Sequence, residues 1–403
     1  MFSYKSILTA LFLSFFLYSE YFGVSIKFLN TIFAVMAIFS LLILTKKELF
    51  LAGFLTALLW FWWIGNSFIY YDLTYLIPII LIAVGLCYGV LFYFIGFYEH
   101  LLYKLIYIIA LSFINPFNFN WFKLELPFIN SYFGTSKIEF FVILLSLVLF
   151  LTYRKRWKIE SVAFLIVTFF GLYLYNLSSN VYIEKPNLKI YKYNTYINQD
   201  NKWKNIYRNK IIDENIKTII KAIDQKYDLI VLPETAFPLV LNRNDTINEK
   251  LSELSYDISI VTGALYKKDE LYYNSTYFYE NGKREVAHKV VLVPFGEAVP
   301  LPEKIRNFIN DIFYNGAKDY ETAKEPTTFT IKGVKFRNAI CFELTTDEIY
   351  KNLDTPYIIG ISNNAWFTPS VEPTLQKLLM KYYEKKYNLY YIDVTNTIDK
   401  EKL

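Results

Sequence analysis

Phe336-Arg337-Asn338-Ala339-Ile340-Cys341-Phe342-Glu343 is an apolar, strand-like run that ends on a cysteine, with an acid two residues further on. The chain holds one other cysteine, Cys87, inside a hydrophobic segment far away in sequence. A lone thiol at the end of a strand is either inert packing, as buried cysteines commonly are, or a nucleophile. What separates the two is whether the rest of the chain supplies a base to take the proton and a cation to hold the charge.

Apolar residues make up 54% of the 403 residues and aromatics 20%. Nearly all the long apolar runs fall before residue 180. That asymmetry predicts a helical membrane domain over 1–180 and a folded domain over 181–403. The net charge of +5 is modest and does not point to nucleic acid. Two cysteines and two histidines, each pair split between the halves, argue against a structural zinc site or a disulfide framework. No metal and no cofactor are expected.

The membrane half reads as about seven spans, near 5–22, 27–45, 48–70, 75–97, 101–116, 138–153 and 160–178. The first lacks a small-x-small cleavage site and is followed at once by further spans, unlike a cleaved signal peptide. With the N-terminus in the cytoplasm, that side holds Lys5, Lys46, Lys47, Lys104, Arg154, Lys155, Arg156 and Lys158. The far side holds Lys27, Lys123 and Lys137. This bias places the C-terminal half outside the cytoplasmic membrane. The loop from Asn115 to Lys137 is aromatic and nearly uncharged, and reads as a connector at headgroup level or as an access route for lipid. Lys104 is expected to snorkel to the interface.

From about Asn187 strands and helices alternate. Strands are predicted over 188–193, 228–232, 258–265, 272–280, 285–293, 328–331, 335–340, 357–361 and 389–394. Helices are predicted within 204–225, near 247–254, over about 346–352 and around 374–386. Continuous apolar strands with helices between them indicate a sheet covered on at least one face.

Glu234, Lys289 and Cys341 share one placement, in or at the end of apolar strands. Singly, Glu234 is explained as a solvated loop acid and Lys289 as a guard on an edge strand. Together they match a thiol nucleophile with a carboxylate base and a cation for a tetrahedral oxyanion. His288 is the rival base, but neighbouring strand residues face opposite sides, so a site that receives Lys289 turns His288 away.

The stretches LPETAFP, HKVVLVPFGEAVPL, ICFE and SNNAWF, in this order, resemble the nitrilase superfamily. With a multi-span N-terminal half, the chain is similar to the apolipoprotein N-acyltransferase family of the bacterial inner (cytoplasmic) membrane. The resemblance is specific over about 180–397 and compositional before that. It implies an αββα sandwich facing the periplasm, with Glu234 as general base, Lys289 as oxyanion stabiliser and Cys341 as nucleophile. Glu297 and Glu343 match the family's supporting acids. Phe342 stands where tyrosine is usual. Trp366 and Asn363, in SNNAWF, fall in an acyl-binding or lid region, with core packing the other reading of Trp366.

The implied reaction moves a fatty acyl chain from the sn-1 position of a phospholipid, such as phosphatidylethanolamine, onto Cys341 as a thioester. The chain then passes to the N-terminal amine of a diacylglyceryl-cysteine apolipoprotein. Two departures from the family are visible. Members continue into a final membrane helix, whereas this sequence stops at Leu403. The helix after AWF carries Lys381 and Tyr383 where arginines are usual. Two other readings stay open: a membrane-tethered amidase or acyltransferase with another acceptor, and a silent nitrilase-like membrane scaffold.

Overall fold

The computed structural model describes residues 3–178, 183–294, 296–298, 302–304, 306–307 and 319–398. The expected boundary at 180/181, Phe295 and residues 299–301 of the PFGEAVPL run lie outside them. Two compact units emerge. The first comprises Met1–Pro116, Asn120–Val181 and Ser370–Lys386; the second comprises Phe117–Phe119, Tyr182–Pro369 and Tyr387–Leu403.

Seven helices, among the described residues, fill the N-terminal part of the first unit. They are α1 (Tyr4–Tyr21), α2 (Lys27–Ile43), α3 (Lys46–Phe61), α4 (Ile77–Ile95), α5 (Leu101–Leu111), α6 (Lys137–Tyr153) and α7 (Lys158–Ser178). Each coincides with one expected span. Four helical stretches among the described residues are long and apolar enough to cross a membrane: Lys46–Tyr70, Thr74–Ile95, Leu101–Asn118 and Lys158–Ser178. At 17 residues each, α2 and α6 sit at the lower end of the ~17–25 residues that span a hydrocarbon core. Lys104 does not snorkel. It is buried, and its Nζ donates to the carbonyls of Leu42 at 2.9 Å and Leu44 at 2.8 Å, closing the C-terminal end of α2.

The 115–137 loop also departs from expectation. Residues 120–131 are buried throughout, so this stretch is neither a surface connector nor an exposed port. Its covering partner is α11 (Glu372–Tyr387), whose residues up to Lys386 belong to the first unit. The Tyr382 hydroxyl donates to Glu125 at 3.1 Å, and Lys381 donates to the Asn130 side chain at 2.6 Å. Lys123 lies over the rings of Tyr382 and Tyr383 at 5.3 and 5.5 Å. Glu125 is fully buried and pairs with Lys137 at 2.6 Å. Apolar composition reads alike for an interfacial loop and a buried one. Here, pairing of the few charges is what permits burial.

The second unit is built on two sheets. The first carries β1 (Ile190–Lys192), β2 (Leu229–Val231), β3 (Phe237–Val240), β4 (Ser259–Lys268), β5 (Leu271–Glu280) and β6 (Lys283–His288). Its order is β1-β2-β4-β5-β6, with β3 also paired to β4. The second sheet orders β10 (Tyr390–Asn396), β9 (Tyr357–Asn363), β8 (Val334–Ile340) and β7 (Thr328–Ile331). The short α8 (Gln199–Lys202), α9 (Asn205–Asp224) and α10 (Asp245–Leu254) complete it. Helical spacing along α9 turns Ile212, Ile216, Ile219 and Ile223 onto the outer face of the first sheet. The inner faces of the two sheets meet over Val231, Val261, Phe278, Phe336, Ile340 and Ile361.

Three local expectations are corrected. The strand predicted over 285–293 stops at His288, because the chain turns away to make the Lys289 and Glu297 contacts described below. The helix predicted at 346–352 is a single 3-10 turn, Asp347–Tyr350, and a further 3-10 turn over Cys341–Thr345 precedes it. β3 and α8 were not anticipated.

Gly263, in β4, lets the Pro233-Glu234-Thr235 turn lie directly on the strand. A Cβ there would fall 2.6 Å from Glu234 Cα and 2.6 Å from Thr235 N, both main-chain atoms with nowhere to go. We therefore expect Gly263→Ala to lower stability by ~1–3 kcal/mol, the usual cost of forced overpacking, measured by thermal unfolding of the purified protein; an unchanged melting temperature would contradict this packing.

Candidate active site

β8 runs buried to Ile340 and breaks at Cys341, whose φ of 55° lies in the left-handed region. A residue with a Cβ is held there only when its surroundings impose the conformation. Glu343 is the imposing group. Its Oε2 accepts from Ile340 N at 2.7 Å, and its Oε1 accepts from Val290 N at 2.5 Å and Val291 N at 3.0 Å. The Cys341 turn is thereby tied to the segment that follows Lys289. Burial pushes the Glu343 carboxyl up to about 7, against the pull of Lys289 and the three N–H donors.

Lys289 is fully buried and its Nζ pairs with Glu297 Oε2 at 2.6 Å. Burial alone would lower its proton affinity. The carboxylates of Glu297, Glu234 and Glu343, together with Cys341, override that and hold it above the ordinary lysine range. Glu297 is oriented in turn by Val293 N, at 2.9 Å from Oε2.

Glu234 is buried at the end of β2. Its Oε1 accepts from Asn274 Nδ2 at 2.7 Å, and the same amide donates to Glu297 Oε1 at 2.9 Å. Burial raises the Glu234 carboxyl and Glu297 adds to this, while Lys289, Asn274 and Lys202 act to lower it. The structure thus gathers Glu234, Lys289, Glu297, Cys341 and Glu343 around one ammonium group. Among the described residues no His, Cys, Asp and Glu grouping is arranged to hold a metal ion.

The remaining candidates are placed differently. Phe342 is buried and its ring stacks on Phe119 at 6.1 Å. Trp366 is half-buried in the 3-10 turn after β9. Asn363 is buried, its Nδ2 donating to Gln199 and its Oδ1 accepting from Asn396 Nδ2. His288 faces away from Lys289, as alternation predicts: its Nδ1 is 2.8 Å from Ser275 Oγ and its ring lies 4.5 Å from that of Tyr273. Sequence reasoning missed Asn274 and Lys202. An isolated amide inside the aromatic strand Leu271-Tyr-Tyr-Asn-Ser-Thr-Tyr was the available signal for the first; no local pattern marks the second.

Comparison with known proteins identifies the family of each half of the chain. Residues 1–171 match the apolipoprotein N-acyltransferase integral membrane domain, and residues 189–403 match the carbon-nitrogen hydrolase family. An apolipoprotein N-acyltransferase of Wolinella succinogenes is 40% identical over 388 residues, covering 96% of this chain and 92% of that protein. Those of Campylobacter jejuni and Helicobacter pylori are 36% and 34% identical, covering 92% and 89% of this chain and 82% and 84% of the relatives. Among solved structures, a carbon-nitrogen hydrolase superfamily protein from Xanthomonas campestris is similar, with 15% identity, a TM-score of 0.40, and coverage of 54% of this chain and 78% of that one.

The grip of Glu343 can be tested directly. Both carboxylate oxygens accept, so an amide must turn its NH2 toward one of the N–H donors. Glu343→Gln is expected to cost ~1–3 kcal/mol of stability and to raise alkylation of Cys341 by iodoacetamide; a variant matching the wild type in both would show that the turn does not depend on this carboxylate.

Proposed function

We propose, since this chain belongs to the apolipoprotein N-acyltransferase family, that it completes lipoprotein maturation by acyl transfer through Cys341, Lys289 and Glu234. The acyl donor is a phospholipid such as phosphatidylethanolamine, and the acceptor is the N-terminal amine of a diacylglyceryl-cysteine protein. The protein is a membrane acyltransferase, and the reading extends to a periplasm-facing site on the inner membrane.

In the first half-reaction the Cys341 thiol gives its proton to Glu234 and the thiolate attacks the sn-1 ester carbonyl. A C–S bond forms and the carbonyl electrons move onto oxygen, where the Lys289 ammonium holds the charge. Collapse breaks the ester C–O bond, and the lysophospholipid leaves with the proton from Glu234. In the second half the lipoprotein amine attacks the thioester. Its proton passes to Glu234 and the C–S bond breaks, leaving an amide and restoring the thiol. A thioester reacts readily with amines, and exclusion of water from the site limits hydrolysis.

The observation that carries this reading is the buried Lys289–Glu297 ion pair at 2.6 Å, with the Asn274 amide bridging Glu297 to Glu234. A cation already committed to Glu297 stays protonated at neutral pH and is available to an oxyanion without reorganising. Phe342 contributes an aromatic contact to Phe119, so the absent tyrosine hydroxyl leaves packing at that position intact.

Mixing the purified protein with phospholipid alone is expected to add one acyl chain to Cys341, read as an intact-mass increase removed by hydroxylamine. Cys341→Ala should abolish both this adduct and N-acylation of a diacylated lipopeptide, and Cys341→Ser should retain at most a trace, because an alkoxide is far harder to form than a thiolate. Acylation persisting in the alanine variant would overturn the mechanism. For orientation, a Lys268→Cys reporter is expected to label from outside intact spheroplasts; labelling only after lysis would reverse the assignment of sides.

A further inference from the structure

Acyl transfer as written leaves one ionisable group of the site without a task. Lys202, on α8, is fully buried, and its Nζ donates at 3.0 Å to the main-chain carbonyl of Glu234. A lysine so deeply buried is rarely tolerated unless its charge answers another. The charged groups facing Glu234 are Lys202 from α8, Lys289 from the end of β6 and Glu297 from the PFGE turn.

The segment carrying Lys202 is delivered by a chain of buried amides. Asn396, at the end of β10, accepts from Thr195 Oγ1 at 2.8 Å and Ile197 N at 2.9 Å, and donates to Ile197 O at 2.9 Å. Its Nδ2 also reaches Asn363 Oδ1 at 2.8 Å, and Asn363 Nδ2 donates to Gln199 Oε1 at 2.9 Å. Two strands of the second sheet therefore hold the loop that presents Lys202 beneath the first. The turn it meets is strained, with Thr235 at φ 48°, and is gripped on its far side by Asn215 Nδ2, which donates to Ala236 O at 2.7 Å.

We propose that Lys202 is a positioning residue for Glu234: it fixes the Glu234 peptide through the carbonyl and brings a second cation to that turn. This deepens the reading above and rests on Glu234 being the base. Asn363 then serves the site through Gln199 and α8, in place of a contact to substrate. The proton balance is consistent with the geometry: burial draws Lys202 down to about 7 against the pull of Glu234, while burial pushes the Glu234 carboxyl up and its cations oppose that only in part. Removing one of those cations raises the pH at which Glu234 ionises, so the acid limb of the rate profile moves to higher pH.

The test follows single-turnover acylation of the full-length enzyme by phosphatidylethanolamine in mixed micelles, from about pH 5 to about pH 9. Lys202→Met is expected to slow acylation about tenfold near pH 6 and to move the acid limb upward by about one pH unit. Half-saturating phospholipid should stay within about twofold. Lys202→Arg retains the cation and is expected to restore the limb. Lys202→Gln keeps a donor to the carbonyl without charge and should also move the limb, so the proposal does not hang on the fold of the methionine variant. An acid limb that stays at its wild-type position in Lys202→Gln, or in a folded Lys202→Met, overturns the role of Lys202 whatever the overall rate. Glu234→Gln separates the two readings. Loss of acylation there with unmoved limbs in the Lys202 variants removes only the present inference, whereas retained acylation with a wild-type limb removes Glu234 as the base.

Discussion

Three backbone N–H groups converge on the Glu343 carboxylate, and the rest of the site depends on that convergence. One donor comes from the last residue of β8 and two from the chain beyond β6. A single side chain therefore sets the left-handed Cys341 turn and fixes the segment that carries Lys289. The nucleophile candidate and the cation candidate lie in different sheets, yet they share one anchor. Such a grip answers the strain at Cys341, which costs on the order of 1–3 kcal/mol for a residue outside its preferred backbone region. The carboxylate is effective because both of its oxygens accept.

Around this anchor the charges are balanced by contact. Glu234 and Glu297 are bridged by the two protons of one amide, Asn274 Nδ2, which lets two acids share a pocket without facing each other bare. Lys289 answers Glu297 directly, and Lys202 answers Glu234 from the backbone side. A buried ion pair adds little net stability but strongly penalises loss of either partner. The arrangement thus favours fixed geometry over stability.

Much of this was legible in the sequence, and the reasons differ from part to part. β8 ending on Cys341 could be read because a buried strand is a continuous apolar run and the cysteine interrupts it. α9 and α10 followed from helical spacing. Alternation separated Lys289 from His288 correctly, even though the strand predicted to run to 293 ends at His288, just before the lysine. The 3-10 turn at Asp347–Tyr350 was read as a helix because so short a segment carries too little periodicity to tell the two apart. Asn274 left only the faint signal of an isolated amide in an aromatic strand and Lys202 left none, since each acquires its role from chain far away in sequence. Burial of residues 120–131 was invisible for a related reason: the partners of Lys123 and Glu125 lie on α11.

That last feature bears on the order in which the chain can be assembled. Glu125 and Tyr382 are 257 positions apart, so the ribosome has released the seven N-terminal helices and most of the second unit before the hydroxyl exists. Glu125 meets Lys137 early, within the same stretch of nascent chain, but the rings that cover Lys123 come last. The loop at 120–131 therefore waits uncovered until α11, which follows the seven N-terminal helices in synthesis. Synthesis itself becomes a checkpoint: a chain truncated before α11 carries the seven N-terminal helices and Cys341, yet lacks the piece that closes its first unit.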